Sequence, residues 1–334
     1  MTLLSPFPYF GGKRSVASEI WLRLGLPKQY IEPFCGSAAV LLAAPTPAAL
    51  EVICDGSGFI ANFWRAVKHQ AASVAEWADY PVSHIDLGAR HVWLMEQRER
   101  VGAELQDPDW PGDAKVAGWW LWGQCCWIGS GWCDWQRQRR GQGSSGDRAD
   151  SDATSAGMGI QAVGKIPHAS DAGRGVQAIG QIPHAGNAGA DTMLTSCGRT
   201  AWRWLHELAD RLERVRIVHG DWSRCLNNHF GGDDTAVFLD PPYRAYEKLY
   251  GVSTPVADAV AQWARENEHL RIALCGHAGD YDMPGWSVVE WSRGRLTYGG
   301  GKTTDSECVW YSPECESITS DADRQVDIFA GQAA

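Results

Sequence analysis

The chain has 334 residues and a hydrophobic fraction of 44%, which suits one large α/β domain with an insertion, or two domains. Its formal net charge of −10 excludes a protein that holds nucleic acid by its overall field, so any affinity for DNA requires a local basic patch. The sequence contains no apolar run of about 18 residues and no signal-peptide pattern. Its ten cysteines form no spaced disulfide framework. We therefore expect reduced thiols, no membrane span and no metal site.

The first motif in chain order is the segment Pro8-Tyr9-Phe10-Gly11-Gly12-Lys13. A short apolar strand then runs into Glu32-Pro33-Phe34-Cys35-Gly36-Ser37, followed by a helix-like stretch over residues 38–44. A strand, a glycine turn and a helix N-terminus together bring backbone N–H groups up to a polar cofactor. The next strand, residues 50–54, ends in Asp55, where a carboxylate usually holds ribose hydroxyls.

A tryptophan-rich stretch follows, in which six of the 18 tryptophans fall between residues 119 and 135. We expect most of these rings to form the core of an inserted subdomain, because large apolar rings are normally buried. Rings near Trp132 and Trp135 are candidates for stacking on bases or for wedging the duplex open. Basic side chains nearby are candidate phosphate contacts, although a solvated charged face is the alternative. They are Arg137, Arg139, Arg140 and Lys165.

Residues 141–195 are dominated by Gly, Ala, Ser and Asp, and they contain two similar segments, 159–169 and 175–185. Two copies are too few for a self-standing solenoid. The segments are compatible with paired loops or hairpins that enter a DNA groove. A low-complexity linker is the other interpretation.

The most informative motif is Asp240-Pro241-Pro242-Tyr243, directly behind the apolar strand at residues 236–239. It presents a carboxylate, a backbone carbonyl fixed by proline and an aromatic face to a planar ring that carries an amine. The lone pair of such an amine is delocalised into the ring. Methyl transfer to it therefore needs acceptors that draw the nitrogen toward tetrahedral geometry. Amphipathic helices at 202–215 and 256–268 and strands at 271–276, 287–291 and 308–311 complete the prediction.

Taken together, these motifs resemble the Dam-type DNA adenine-N6 methyltransferases, and they span residues 8–65 and 215–313. The resemblance implies an α/β fold: a seven-stranded, mostly parallel, Rossmann-like methyltransferase sheet with one antiparallel edge strand and an inserted target-recognition region. It also implies S-adenosylmethionine as methyl donor and double-stranded DNA as substrate. One departure is that Ser37-Ala38-Ala39 follows Gly36 where family members often have further glycines. Small residues still permit a close backbone approach.

Carried over residue by residue, the resemblance implies a catalytic set and a donor-binding set. In the catalytic set, Asp240 and the Pro241 carbonyl accept the amine hydrogens, Pro242 follows them, and Tyr243 stacks on an adenine flipped out of the duplex. The donor-binding set is Tyr9, Lys13, Glu32, Phe34, Gly36, Asp55, Asp221 and Trp222. Within it, Lys13 and Tyr9 lie at the methionine end, Asp55 at the ribose, and Asp221 and Trp222 at the adenine of the donor. Helix capping or turn formation is an equally good interpretation of Asp55 and Asp221.

The expected organisation is a catalytic domain formed by residues 1–68 and 200–315, an insertion at 69–199 and a flexible tail at 316–334. In the tail, Gln325, Ile328 and Phe329 match a pattern with which bacterial replication and repair proteins dock on the DNA-polymerase sliding clamp. A strand or helix end packed on the enzyme itself is the alternative. We expect a cytoplasmic location in a bacterial or phage-infected cell.

Other functions remain open at this point. A cytosine-N4 methyltransferase favours Ser rather than Asp at position 240, and an RNA-directed enzyme or a non-catalytic DNA-binding module fits the same composition. The recognition motif with Asn and Gly that Dam-type relatives usually carry is not found. The specificity is therefore either directed to an unidentified site or relaxed.

Overall fold

The computed structural model describes residues 3–7, 9, 12–127, 132–133, 201–226, 232, 234–243, 256–291 and 307–316. Several predicted features lie outside the described residues. They are the DNA contacts at Arg137, Arg139, Arg140, Lys165 and Trp135, the two similar segments, and the clamp-like residues Gln325, Ile328 and Phe329.

Helices and strands alternate along much of the described chain. The helices are α1 (Ala17–Leu24), α2 (Ala39–Leu42), α3 (Gly58–Ala78), α4 (His84–Glu104), α5 (Ala114–Cys126), α6 (Ala201–Leu212) and α7 (Val256–Glu266), with a 3-10 helix at Trp222–Cys225. The strands are β1 (Gln29–Glu32), β2 (Leu50–Asp55), β3 (Val215–His219), β4 (Thr235–Leu239), β5 (Arg271–His277), β6 (Ser287–Trp291) and β7 (Glu307–Tyr311).

The strands form a seven-stranded sheet in the order β3-β2-β1-β4-β5-β7-β6. Strand β1 pairs in parallel with β2 and β4, and β4 pairs in parallel with β5. Strand β7 runs antiparallel to both β5 and β6. This confirms the predicted α/β class and the mostly parallel sheet with an antiparallel edge. All five residues of β4 are buried, as expected for a parallel strand that is covered on both faces.

The residue contacts divide the chain into two compact units. Unit 1 comprises residues 1–4, 13–54 and 221–334, and unit 2 comprises residues 5–12 and 55–220. The predicted domain boundaries remain a prediction.

Aromatic rings build the core of unit 2. Phe7 makes edge-to-face contacts with Phe63 and Trp120, at ring-centroid distances of 5.3 and 4.8 Å. Trp132 is 6% exposed, and its indole N–H donates to the carbonyl of Trp120 at 3.0 Å. The expectation that Trp132 stacks on bases is therefore not supported, since the ring packs inside the unit. The expectation that most rings of this stretch form a core agrees with Trp120 and Trp122, which are both buried.

Helix α5 approaches α3 closely at Gly118. A Cβ atom at this position would lie 2.4 Å from the Cβ of Trp77 and 2.8 Å from the carbonyl oxygen of Val74. We expect Gly118→Ala to lower the free energy of unfolding by about 3 kcal/mol, because the backbone of α3 cannot yield as a flexible side chain would. The matched control is Gly102→Ala in α4, where a Cβ would meet nothing within 4 Å.

Urea denaturation of both variants checks this packing. The control variant should gain about 0.5–1 kcal/mol, because alanine is the better helix residue at an unobstructed position. Equal effects of the two substitutions would contradict the close approach at Gly118.

Candidate active site

The carboxyl ends of β1 and β4 meet at one edge of the sheet. Ile31 of β1 pairs with Val237 of β4, so the residues that follow Glu32 and the segment that begins at Asp240 emerge side by side. The strand order reverses between these two strands, since β2 lies on one side of β1 and β4 on the other. In open α/β sheets, ligands bind outside the carboxyl ends of the strands at this switch point.

Lys13 contacts Asp240 across 227 positions of sequence. Its Nζ lies 2.8 Å from Oδ2 of Asp240 and 3.9 Å from Oε2 of Glu307. The lysine side chain is only 3% exposed. Burial on its own lowers the pKa of Lys13, but the carboxylates of Asp240 and Glu307 outweigh it and hold that pKa above its ordinary value. The N-terminal motif therefore supplies a permanent positive charge to the carboxylate of the tetrapeptide.

Two aromatic rings face the same ammonium group. Nζ of Lys13 lies 5.2 Å from the ring centroid of Tyr243 and 5.8 Å from that of Trp291. The ring of Tyr243 is 8% exposed, and His277 contacts it edge-to-face at 4.5 Å. Cations over aromatic faces are attracted by the ring quadrupole, so these contacts also hold the lysine in place.

Sequence reasoning missed three residues of this cluster. His277 and Trp291 end β5 and β6, and the first residue of β7, Glu307, pairs with both of them. Because β7 is antiparallel, its first residue reaches the edge where the other strands end. The sequence signal that could have identified these three residues is an aromatic or polar side chain at the end of a strand.

Glu32 is buried beside this cluster. Its Oε2 accepts hydrogen bonds from the hydroxyl of Tyr30 at 2.9 Å and from the backbone N–H of Leu41 at 3.1 Å. Burial raises the pKa of Glu32 to about 8, against the opposing effect of these two hydrogen bonds and with a further rise from the nearby Asp240 and Glu51 carboxylates. Glu32 therefore ties β1 to α2 mainly in its protonated form at neutral pH.

This burial predicts a pH-dependent stability. The folded-state pKa lies above the ordinary value of 4.5, so the protonated carboxyl stabilises the fold fully below pH 4.5 and loses that effect as the pH rises through about 8. Between these limits the wild type should lose on the order of 4 kcal/mol relative to Glu32→Gln. Urea denaturation of both proteins at pH 5, 6.5 and 8 measures the difference. Parallel pH profiles would contradict the buried, protonated state.

The turn between β1 and α2 is tight. Gly36 and Ala38 both have left-handed backbones, with φ of 46° and 49°. Ala38 occupies one of the positions where a further glycine was expected, and an L-residue there costs about 1–2 kcal/mol. Helix α2 is also shorter than predicted and spans only Ala39–Leu42. The early end has a physical cause, because the residue before Pro45 disfavours the helical region.

Two members of the predicted donor-binding set, Phe34 and Trp222, form an aromatic pair. The rings of Phe34 and Trp222 are 6.3 Å apart with 26° between their planes, and Trp263 of α7 contacts Trp222 at 6.4 Å. Oδ1 of Asp221 accepts hydrogen bonds from the backbone N–H and the hydroxyl of Ser223, at 3.0 and 2.5 Å. Asp221 thus caps the 3-10 helix, as the alternative interpretation held. Its Oδ2 makes no hydrogen bond with any described residue.

Two further members of the donor-binding set lie in unit 2. Oδ1 of Asp55 accepts from the backbone N–H of Ser57 at 2.8 Å, which is also a turn-forming contact. Tyr9 is 40% exposed, and its carbonyl accepts from the N–H of Gly12 at 3.0 Å.

Among the described residues, no group of three or more His, Cys, Asp or Glu side chains is arranged to hold a metal ion. None of the described helices combines the length and the apolar character needed to cross a membrane.

A mostly parallel sheet of this strand order, with a carboxylate, two prolines and a tyrosine behind a central strand, is consistent with the methyltransferase fold. Residues 9–83 match the family model of D12 class N6 adenine-specific DNA methyltransferases. This match confirms the resemblance to the Dam-type adenine methyltransferases. The comparison with curated proteins gives no match. The matched range contains Lys13, Glu32, Phe34 and Asp55 but ends well before Asp240, so the role of the tetrapeptide rests on its geometry.

Proposed function

We propose that the protein transfers a methyl group from S-adenosylmethionine to the N6 amine of an adenine in double-stranded DNA. The observation that carries this proposal is the contact of Lys13 with Asp240 at the switch point of the sheet, with Tyr243 beside it. The match of residues 9–83 to an adenine-specific family supports the choice of base.

The residues around β1 and the 3-10 helix fit the proposed donor. Phe34 and Trp222 offer two nearly parallel rings to a purine, and Oδ2 of Asp221 is available as an acceptor for its amine. Asp55 is the proposed contact of the ribose, Glu32 is a further proposed member of the donor site, and Gly36 allows a close approach of the backbone. When bound, S-adenosylmethionine supplies an electrophilic methyl group.

The chain's own residues supply acceptors for the amine. Oδ2 of Asp240 is taken by Lys13, while its Oδ1 makes no hydrogen bond with any described residue. Oδ1 and the Pro241 carbonyl can therefore accept the two hydrogens of N6 and draw its lone pair out of the ring. The nitrogen would then bond to the methyl carbon while the methyl–sulfur bond of the donor breaks and its electron pair stays on sulfur, leaving S-adenosylhomocysteine. The surplus proton of the nitrogen would pass to water. We propose that Lys13 acts here by orienting Asp240.

The target adenine lies inside the base stack of a duplex, so it must be flipped out before its amine can reach Asp240. Tyr243 is the proposed stacking partner of the flipped ring, and Pro242 stiffens the loop between them.

Mass spectrometry of nucleosides from plasmid DNA expressed with the protein tests this function. We expect N6-methyladenine, and its absence would overturn the proposal. N4-methylcytosine would instead support the cytosine alternative, and methylated nucleosides confined to RNA would support an RNA-directed enzyme.

Recognition of DNA is proposed for the insertion at 69–199, between the catalytic segments 1–68 and 200–315. Replacing Arg137, Arg139 and Arg140 together with alanine should weaken binding about equally on all sequences and flatten its salt dependence, because phosphate contacts do not specify bases. Deleting residues 175–185 should change the map of methylated sites. An unchanged map would favour the linker interpretation.

A sliding clamp is the proposed protein partner, on the strength of Gln325, Ile328 and Phe329 in a polar tail. Such a contact would raise the effective concentration of the enzyme on new DNA. It would also imply that the enzyme works in the cytoplasm of a bacterial cell. Calorimetry with a bacterial clamp should show binding that the double variant Ile328→Ala/Phe329→Ala loses. Absent or unaffected binding would exclude this partner, whereas methylation of short DNA should survive the substitution.

A further inference from the structure

His277 lies next to the aromatic residue of the tetrapeptide. Strands β4 and β5 are in parallel register up to the pair Leu239 and Leu274, so the end of β5 reaches the level of residues 240–243. The imidazole meets the ring of Tyr243 edge-to-face, with 4.5 Å between centroids and 72° between planes. Aromatic pairs favour this arrangement, which restricts the rotation of both rings.

His277 is itself fixed by a turn. Its backbone N–H donates to Oδ2 of Asp280 at 2.7 Å, and the N–H of Asp280 donates back to the carbonyl of His277 at 3.0 Å. The turn requires Gly279, whose φ is 84°. Nδ1 of the imidazole lies 3.9 Å from the same Asp280 oxygen. The backbone of His277 is therefore fixed by the turn at the end of β5, whereas Tyr243 follows the end of β4.

We infer that His277 is a positioning residue, which holds the ring of Tyr243 in the orientation that receives the flipped adenine. The inference rests on the proposed function of Tyr243. The ammonium of Lys13 also contacts this ring, at 5.2 Å from its centroid. The lysine ammonium and the imidazole together restrict the rotation of the tyrosine ring.

Three variants at this position separate the ring from its polar atoms. His277→Phe keeps an aromatic edge, His277→Gln keeps a hydrogen-bonding group without a ring, and His277→Ala removes both. The matched control is His269→Ala, at an exposed position in the turn that precedes β5. The assays are kcat and KM on duplex DNA, and the fluorescence of 2-aminopurine placed at a site that the wild type methylates.

We expect the alanine and glutamine variants to lose about 10- to 100-fold in kcat, because a small displacement of a positioned group has an effect of that size. The 2-aminopurine signal of flipping should fall with it, while affinity for S-adenosylmethionine stays within about 3-fold by calorimetry. The phenylalanine variant should recover most of both losses. The control variant should match the wild type.

A wild-type kcat and flipping signal in the alanine and glutamine variants would overturn the inference. So would a phenylalanine variant that folds, by thermal denaturation, but loses as much activity as alanine. Failure of the proposed function is distinguishable, because the wild type would then form no N6-methyladenine at all.

Discussion

Asp240→Ala should lower the rate of methyl transfer about 100- to 1,000-fold, which corresponds to about 3–4 kcal/mol of transition-state stabilisation. The reason is that Asp240 offers the acceptor for the N6 amine at the switch point, and removal leaves the amine unpaired in a site where Lys13 is 3% exposed. Affinity for S-adenosylmethionine should change little, since Phe34 and Trp222, the proposed contacts of the donor's own adenine, are untouched. Single-turnover methylation and calorimetry measure the two effects separately.

The matched control for this change is Asp282→Ala, at an exposed position in the same unit. It should leave both rate and affinity at wild-type values. Near-wild-type turnover by Asp240→Ala would show that residues 240–243 are not the active site.

Lys13→Met should lower the free energy of unfolding by about 3–5 kcal/mol, because it leaves the carboxylates of Asp240 and Glu307 without their buried cation. The matched control is Lys28→Met. Its Nζ lies 3.7 Å from a carboxylate oxygen of Asp234, but the lysine side chain is 81% exposed. An exposed pair of this kind contributes at most about 1 kcal/mol.

Urea denaturation of both lysine variants provides the comparison. The double variant Lys13→Met/Asp240→Asn should lose less than the sum of its two single changes, because removal of both charges leaves a single carboxylate, Glu307, without a partner. A Lys13 variant no less stable than the Lys28 variant would contradict the buried ion pair.

The local patterns of the sequence predict most of the strands and helices of the fold. Residues 236–239 predict a strand because a central parallel strand is apolar on both faces, and the structure gives Thr235–Leu239. The helix predicted at 256–268 is observed as Val256–Glu266, since its apolar residues repeat at helical spacing. Both patterns depend on neighbours in sequence alone.

The candidate site depends on contacts that no local pattern contains. Lys13 was expected at the methionine end of the donor, and its contact with Asp240 follows only from the assembled sheet. His277, Trp291 and Glu307 come together through the antiparallel register of β7, which their sequence spacing does not specify. Trp132 was a candidate for stacking on bases, but its ring packs against Gly123 of α5, where a Cβ would lie 1.9 Å from the ring. This contact is likewise not contained in any local pattern of the sequence.

The most direct test of methyl transfer uses the purified protein, duplex DNA and S-adenosylmethionine with an isotopically labelled methyl group, followed by nucleoside mass spectrometry. We predict labelled N6-methyladenine with the wild type and a loss of about 100-fold or more with Asp240→Ala. Label in cytosine, or equal label in adenine with both proteins, would contradict the assignment of Asp240 as the acceptor for the adenine amine.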